Sequence, residues 1–238
     1  MEIQVAAAKV NKYATRESGD TMEMMERPGG GLSFVLADGQ GSGQGAKTIS
    51  HLVAQKTVSL LAEGVRDGAA ARAAHDFLYA LRQGKVSADL NIVSFDLVSR
   101  TVVLSRNSGV PIYVADADGV RVVDQPSQPI GLYARTKPAI TEIPIVAGTH
   151  IVVVTDGVPE GGLRFGQPLD MLATLAGLMS QDGMNAQSLA NGLLDAAIAA
   201  DHGRPADDMS VLVLSIVPNQ APNQSTDGVR RMSVSFPI

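Results

Sequence analysis

Apolar positions along the chain fall into short unbroken runs and helically spaced stripes, and the two kinds alternate in blocks. Residues 32–37 (LSFVLA) follow a glycine cluster and carry β-branched and aromatic side chains, which predicts a buried strand ending at Asp38. Ile49, Leu52, Val53, Leu60 and Leu61 recur at helical spacing over residues 46–63, and a second helix is predicted over 69–82. The runs NIVSFDL and TVVLSRN, joined by a short connection, predict an antiparallel hairpin; PIYVAD and GVRVVD predict another around Ala117 and Asp118. Two further strands (PAITEIPI and HIVVVTD), helices over 168–180 and 186–200, and a last apolar strand MSVLVLSIV complete the order. Strands and helices in blocks, without regular βαβ alternation, define an α+β chain, read as a sheet sandwich flanked by helix pairs.

At 238 residues with 45% apolar content, the chain suffices for one sizeable core. The expected division is a domain over 1–217 and a flexible Pro/Asn/Gln tail over 218–238, whose RRMSVSFPI alternation suggests an edge strand. A net charge of -5 without any Lys/Arg run argues against nucleic-acid binding. There is no signal-peptide core and no apolar stretch near membrane-spanning length, so the reading is a soluble cytoplasmic protein with no membrane partner.

The absence of cysteine excludes disulfides, thiolate zinc sites and a cysteine nucleophile. Chemistry must then rest on oxygen or imidazole. The four histidines form no cluster and are assigned structural or surface roles. Aspartates, by contrast, recur at strand ends: Asp38 and Asp156 each close a strand and precede glycine, and Asp207 and Asp208 stand ahead of MSVLVL. Each Asp-Gly taken alone is a common turn; Asp118–Gly119, Asp67–Gly68 and Asp182–Gly183 are read as no more than that. Carboxylates delivered together to one rim repel and raise one another's pKa unless a cation neutralises them, and an all-oxygen set suits Mg²⁺ or Mn²⁺.

The segments SGD (18–20), LADGQGSGQGA (36–46), NSGVPIYV (107–114), VVVTDGVPEG (152–161) and ADDMSVLVL (206–214) resemble, in order and approximate spacing, the SpoIIE-like branch of the PPM (type 2C) serine/threonine phosphatases. Within that branch the chain is most similar to the stand-alone phosphatase RsbX. The resemblance implies an α-β-β-α sandwich of two mainly antiparallel sheets with two Mn²⁺ or Mg²⁺ ions at one end. It places Asp38 as the bridge between them, Asp156 and Asp207 on one ion, the Gly39 carbonyl on the other, and Asp20 holding metal-bound water. It also implies a phosphorylated STAS-domain regulatory protein, of a stress-response or sigma-factor module, as substrate. Arg16 lies about where some relatives carry a phosphate-binding arginine. Gln40 and Val110 stand where histidines occur elsewhere in the family, which leaves the general acid unassigned.

Two other readings compete. GSGQGAKT nearly fits a P-loop, with Ala46 in place of the last glycine, and a P-loop needs parallel crossovers. A pseudo-phosphatase would keep the fold as a binding module without turnover.

Overall fold

The computed structural model describes residues 1–181 and 183–218. The turn expected at Asp182, the tail and its expected edge strand lie outside the described residues. Ten strands and four helices follow the order β1 (Glu2–Val10), β2 (Asp20–Glu26), β3 (Leu32–Gly39), α1 (Gly43–Ala62), α2 (Asp67–Arg82), β4 (Ala88–Asp96), β5 (Thr101–Asn107), β6 (Ile112–Asp116), β7 (Gly119–Val123), β8 (Ala139–Pro144), β9 (Thr149–Val154), α3 (Met171–Met179), α4 (Ala186–Ala200) and β10 (Met209–Val217). Two five-stranded sheets form, in the orders β1-β10-β9-β6-β7 and β2-β3-β4-β5-β8, and every strand pairing within them is antiparallel.

The central strands read as unbroken apolar runs because both of their faces are buried. In β3, Phe34 and Leu36 point between the sheets, where they meet Ile112, Ile151, Leu212 and Leu214; Val35 and Ala37 point outward against α1 and α2. β10 does the same in mirror fashion, with Val211 and Val213 against α4. Alternation on every strand therefore builds three apolar layers, and the α-β-β-α order follows. Small residues let α2 settle close to its sheet through Ala70, Ala71 and Ala74. Among the described residues no helix is long and apolar enough to cross a membrane.

Three sequence expectations change. β1 was not anticipated: it is an edge strand with a single buried residue, Ala6, so its pattern is weak, yet it pairs with β10 from Glu2↔Val217 to Val10↔Met209. The P-loop reading fails because β3 lies between antiparallel neighbours β2 and β4, and because the Lys47 ammonium donates to the Asp20 carbonyl (2.7 Å) and Thr21 Oγ1 (2.9 Å). Asp67 is not a turn residue. It opens α2, where a negative charge complements the helix dipole, and it is buried against Arg27 Nη1 at 3.0 Å with Ser94 donating to its other oxygen. Replacing Asp67 by Ala leaves the Arg27 guanidinium without its counter-charge, in a site where its side chain is only 15% exposed. A loss of about 3 kcal/mol or more in urea unfolding is expected.

Candidate active site

Antiparallel register decides which carboxylates meet. Asp20 on β2 lies directly opposite Asp38 on β3, and Asp38 lies directly opposite Asp89 on β4. Directly opposed residues share a sheet face, so the three carboxylates form one row at the end of the sandwich. The row faces the other sheet, as shown by Thr155 Oγ1 and Ser210 Oγ, which donate to Asp20 Oδ2 at 3.1 and 2.6 Å. Asp156 follows β9 by two residues and Asp207 precedes β10 by two, so those adjacent strands bring both to the same rim.

Asp20, placed by motif order alone in the sequence, is the most enclosed of these groups at 0% exposure. Its second oxygen, Oδ1, is buried without a hydrogen-bond donor. Burial raises its pKa, opposed by the hydrogen bonds from Ser210 and Thr155 and by the charge of Lys9. Lys9 Nζ also donates to the Asp20 backbone carbonyl (3.1 Å), which ties β1 to β2. Asp38 is pushed up to about 10, first by burial and then by the charges of Asp20, Asp156 and Asp89. Asp156 is raised by burial and by Asp207, and Asp89 is raised to about 6, chiefly by burial. Without a cation, protons must stand in as the neutralising charge.

Glycines at this rim are set by close packing. A Cβ on Gly39 would stand 2.1 Å from the Ala46 carbonyl oxygen of α1, and one on Gly157 would stand 2.2 Å from the Asp208 carbonyl oxygen. The two adjacent aspartates before β10 separate clearly in role. Asp208 is buried, accepting from the backbone N–H groups of Lys12 (2.9 Å) and Gly19 (2.8 Å), and so fixes the segment leading to Asp20. Asp207 has a side chain 40% exposed and stands 3.8 Å from Lys12 Nζ, facing the rim. Beside it opens a cleft lined by Gly157, Glu160, Leu163, Arg164 and Ala206.

Arg16 is exposed in the connection before β2 and has no hydrogen-bond or ion-pair partner among the described residues. Gln40 Oε1 accepts from the Ser87 N–H (2.9 Å), tying the loop after β3 to the entry of β4. Val110 is core, packed under α3 and α4. The histidines are structural or at the surface: His75 Nδ1 accepts from the Gly131 N–H, His150 pairs with Ser215, His202 stacks on Phe165, and His51 is exposed on α1. Sequence reading missed Asp89, Thr155, Ser210 and Lys9. Asp89 carries the same signal as Asp38, an acid at a strand end, but its strand was read as starting at Asn91; single hydroxyls and a lone lysine carry none.

Among the described residues no three such side chains are closed around one point as a finished cage for an ion. The chemistry of the donors nevertheless fits a divalent cation. They are all oxygens, they crowd like charges that raise the pKa of Asp38, and Asp20 Oδ1 is a buried acceptor lacking a partner.

This architecture has known counterparts. Residues 28–217 match the family model of stage II sporulation protein E, and the chain belongs to that SpoIIE family. It is 24% identical over 215 residues to stage II sporulation protein E of Bacillus subtilis (strain 168), covering 90% of this chain and 26% of that protein. The chain thus spans about a quarter of the length of that curated relative. Among solved structures, the PP2C phosphatase domain of B. subtilis SpoIIE with a fragment of its regulatory domain superposes with a TM-score of 0.77 at 23% identity, over 91% of this chain and 64% of that one. The RsbU and RsbW domains of Rv1364c from Mycobacterium tuberculosis give 0.73 at 20% identity, over 90% and 60%. The catalytic domain of the serine/threonine phosphatase PstP in complex with two manganese ions gives 0.68 at 17% identity, over 91% and 99%. The fold is that of the PP2C-type phosphatases.

Proposed function

We propose that the chain is a metal-dependent phosphoserine/phosphothreonine protein phosphatase. The observation that carries this is the row of Asp20, Asp38 and Asp89, completed at the same rim by Asp156 and Asp207. Asp38, flanked by carboxylates on both sides, is suited to bridge two Mn²⁺ or Mg²⁺ ions; Asp156 and Asp207 would hold one and the Gly39 carbonyl the other. When bound, such ions neutralise phosphoryl oxygens and lower the pKa of an attacking water. The chain's own part is positional. Ser210 and Thr155 hold Asp20 Oδ2, leaving Oδ1 free to accept from a water or meet a cation. Asp208 fixes the strand entry that carries Asp20, and the packing of α1 over Gly39 sets where its carbonyl points. No side chain is needed as nucleophile.

The cleft beside Asp207 gives a phosphorylated side chain an approach between Arg164 and the carboxylates. Arg16, exposed and without a partner among the described residues, is available to a phosphate. A phosphorylated STAS-domain regulator in a cytoplasmic stress or sigma-factor module is the substrate class this reading favours; similarity to a chain holding RsbU and RsbW domains supports it. The test is Mn²⁺-titrated hydrolysis of p-nitrophenyl phosphate, followed by a panel of phosphorylated STAS proteins. Turnover by the wild type, with loss of about 10³-fold in Asp156→Asn, is expected. A folded wild type inactive in excess Mn²⁺ would instead leave a binding module.

A further inference from the structure

Asp89 has no role in the reading given so far beyond its place in the row. It is the second residue of β4, after Ala88, and is held from the side away from Asp38. Ser108 Oγ donates to its Oδ2 at 2.5 Å, and the Gly109 N–H also bonds to it. Ser108 is itself fixed, since its Oγ accepts from the Val110 N–H at 2.9 Å. Asp89 is therefore oriented from outside the centre, on the flank of Asp38 that Asp20 does not occupy.

A purely structural role accounts poorly for a carboxylate here. An asparagine or serine would accept the same hydrogen bonds without adding negative charge. Directly opposed like charges destabilise a sheet, and Asp89 is opposed to Asp38 while also feeling the charge of Asp156. Arg106 favours the ionised form of Asp89 through its charge but makes no ion pair with it, since its guanidinium donates to the carbonyl oxygens of Ser108 (2.5 Å), Val110 (3.4 Å) and Gln125. At the other end of the row, Asp20 Oδ1 is buried without a donor, which independently marks the face as built for a cation.

We infer that Asp89 is a further metal-holding carboxylate, which places a charged oxygen donor on the free flank of Asp38 and makes the centre a five-carboxylate site. Seated this way, it draws a divalent ion toward β4 and offsets part of that ion's charge. The inference rests on the metal-centre reading proposed above, extends it to a residue outside the expected ligand set, and needs no change in the fold.

Its test is a Mn²⁺ titration of the metal-free full chain, with free ion followed by its electron paramagnetic resonance signal, alongside thermal melts without metal. Asp89→Asn is expected to raise the Mn²⁺ dissociation constant by about tenfold or more, with metal-free melting unchanged or higher because a repulsion is removed. Ser108→Ala, which keeps the carboxylate but frees its orientation, is expected to weaken Mn²⁺ binding by a smaller factor. It also decides the matter should Asp89→Asn misfold. Both variants binding within about twofold of a Mn²⁺-binding wild type, well below that tenfold loss, would overturn this inference alone. A wild type that leaves Mn²⁺ free would overturn it together with the metal reading.

Discussion

Replacing Asp38 by Asn abolishes Mn²⁺-dependent phosphatase turnover and at the same time makes the metal-free protein more stable. The two effects have one cause. Asp38 stands between Asp20 and Asp89 in adjacent strands and feels Asp156 from the other sheet, so its charge is the hardest of the set to keep without a cation. On the proposed function, that charge would be the one to hold two divalent ions together. Losing a bridging ligand removes several kcal/mol of transition-state stabilisation, and at about 1.4 kcal/mol per decade this is about 10³-fold or more in rate. Without ions, Asn retains the shape and is neutral without having to hold a proton, so the metal-free melting temperature is expected to rise at neutral pH. Steady-state hydrolysis of p-nitrophenyl phosphate and a melt in a chelating buffer measure the pair. A variant that is simply less stable and partly active would contradict the account.

The second large effect is the dependence of stability on pH and its removal by metal. The folded Asp38 carboxyl, at about 10, keeps its proton across the range in which the unfolded one, near 3.8, has lost it. The folded state then binds more protons than the unfolded state, so stability is fully present below the unfolded pKa and falls as pH rises through the folded one. Asp20, Asp156 and Asp89 are also raised and act in the same sense. Lys9, lowered by burial, acts in the opposite sense. The metal-free melting temperature is therefore expected to drop between pH 5 and pH 8. Mn²⁺ at a hundred times its dissociation constant adds about 2.7 kcal/mol, which for a chain of this size raises the melting temperature by about 5–10 °C. At one fixed Mn²⁺ concentration the gain is larger at pH 8 than at pH 5, because protons compete for the same oxygens and weaken the ion's binding. Differential scanning fluorimetry across this range, with and without Mn²⁺, reads both effects; a pH-independent melt that Mn²⁺ leaves unmoved would contradict them.

The sandwich was legible in the sequence wherever strands are buried on both faces. The runs at β3, β9 and β10 are apolar without interruption, and the stripes of α1, α2 and α4 have clear periodicity. β1 was hidden because an edge strand buries little and alternates weakly. Of the carboxylates that the fold brings to one rim, Asp38, Asp156 and Asp207 could be picked out through their strand ends, and Asp20 through motif order. What single-residue chemistry lacks is register: nothing in KVSADL marks Asp89 as the residue that will sit opposite Asp38, because register comes from pairing across the sheet. Asp67 was misread for the related reason that its partner, Arg27, lies far away in sequence. Asp208 could be told from Asp207 only once the Gly19 and Lys12 N–H groups were seen to reach it.

The measurement that bears most directly on the central claim, that these carboxylates form a divalent-metal centre, is calorimetric titration of Mn²⁺ into the metal-free chain at pH 7. Running it in two buffers of different ionisation enthalpy counts the protons exchanged. The account predicts saturation at about two ions per chain with net proton release, as the ions displace protons held at Asp38 and its neighbours. No saturable binding, or binding that releases no protons, would contradict it.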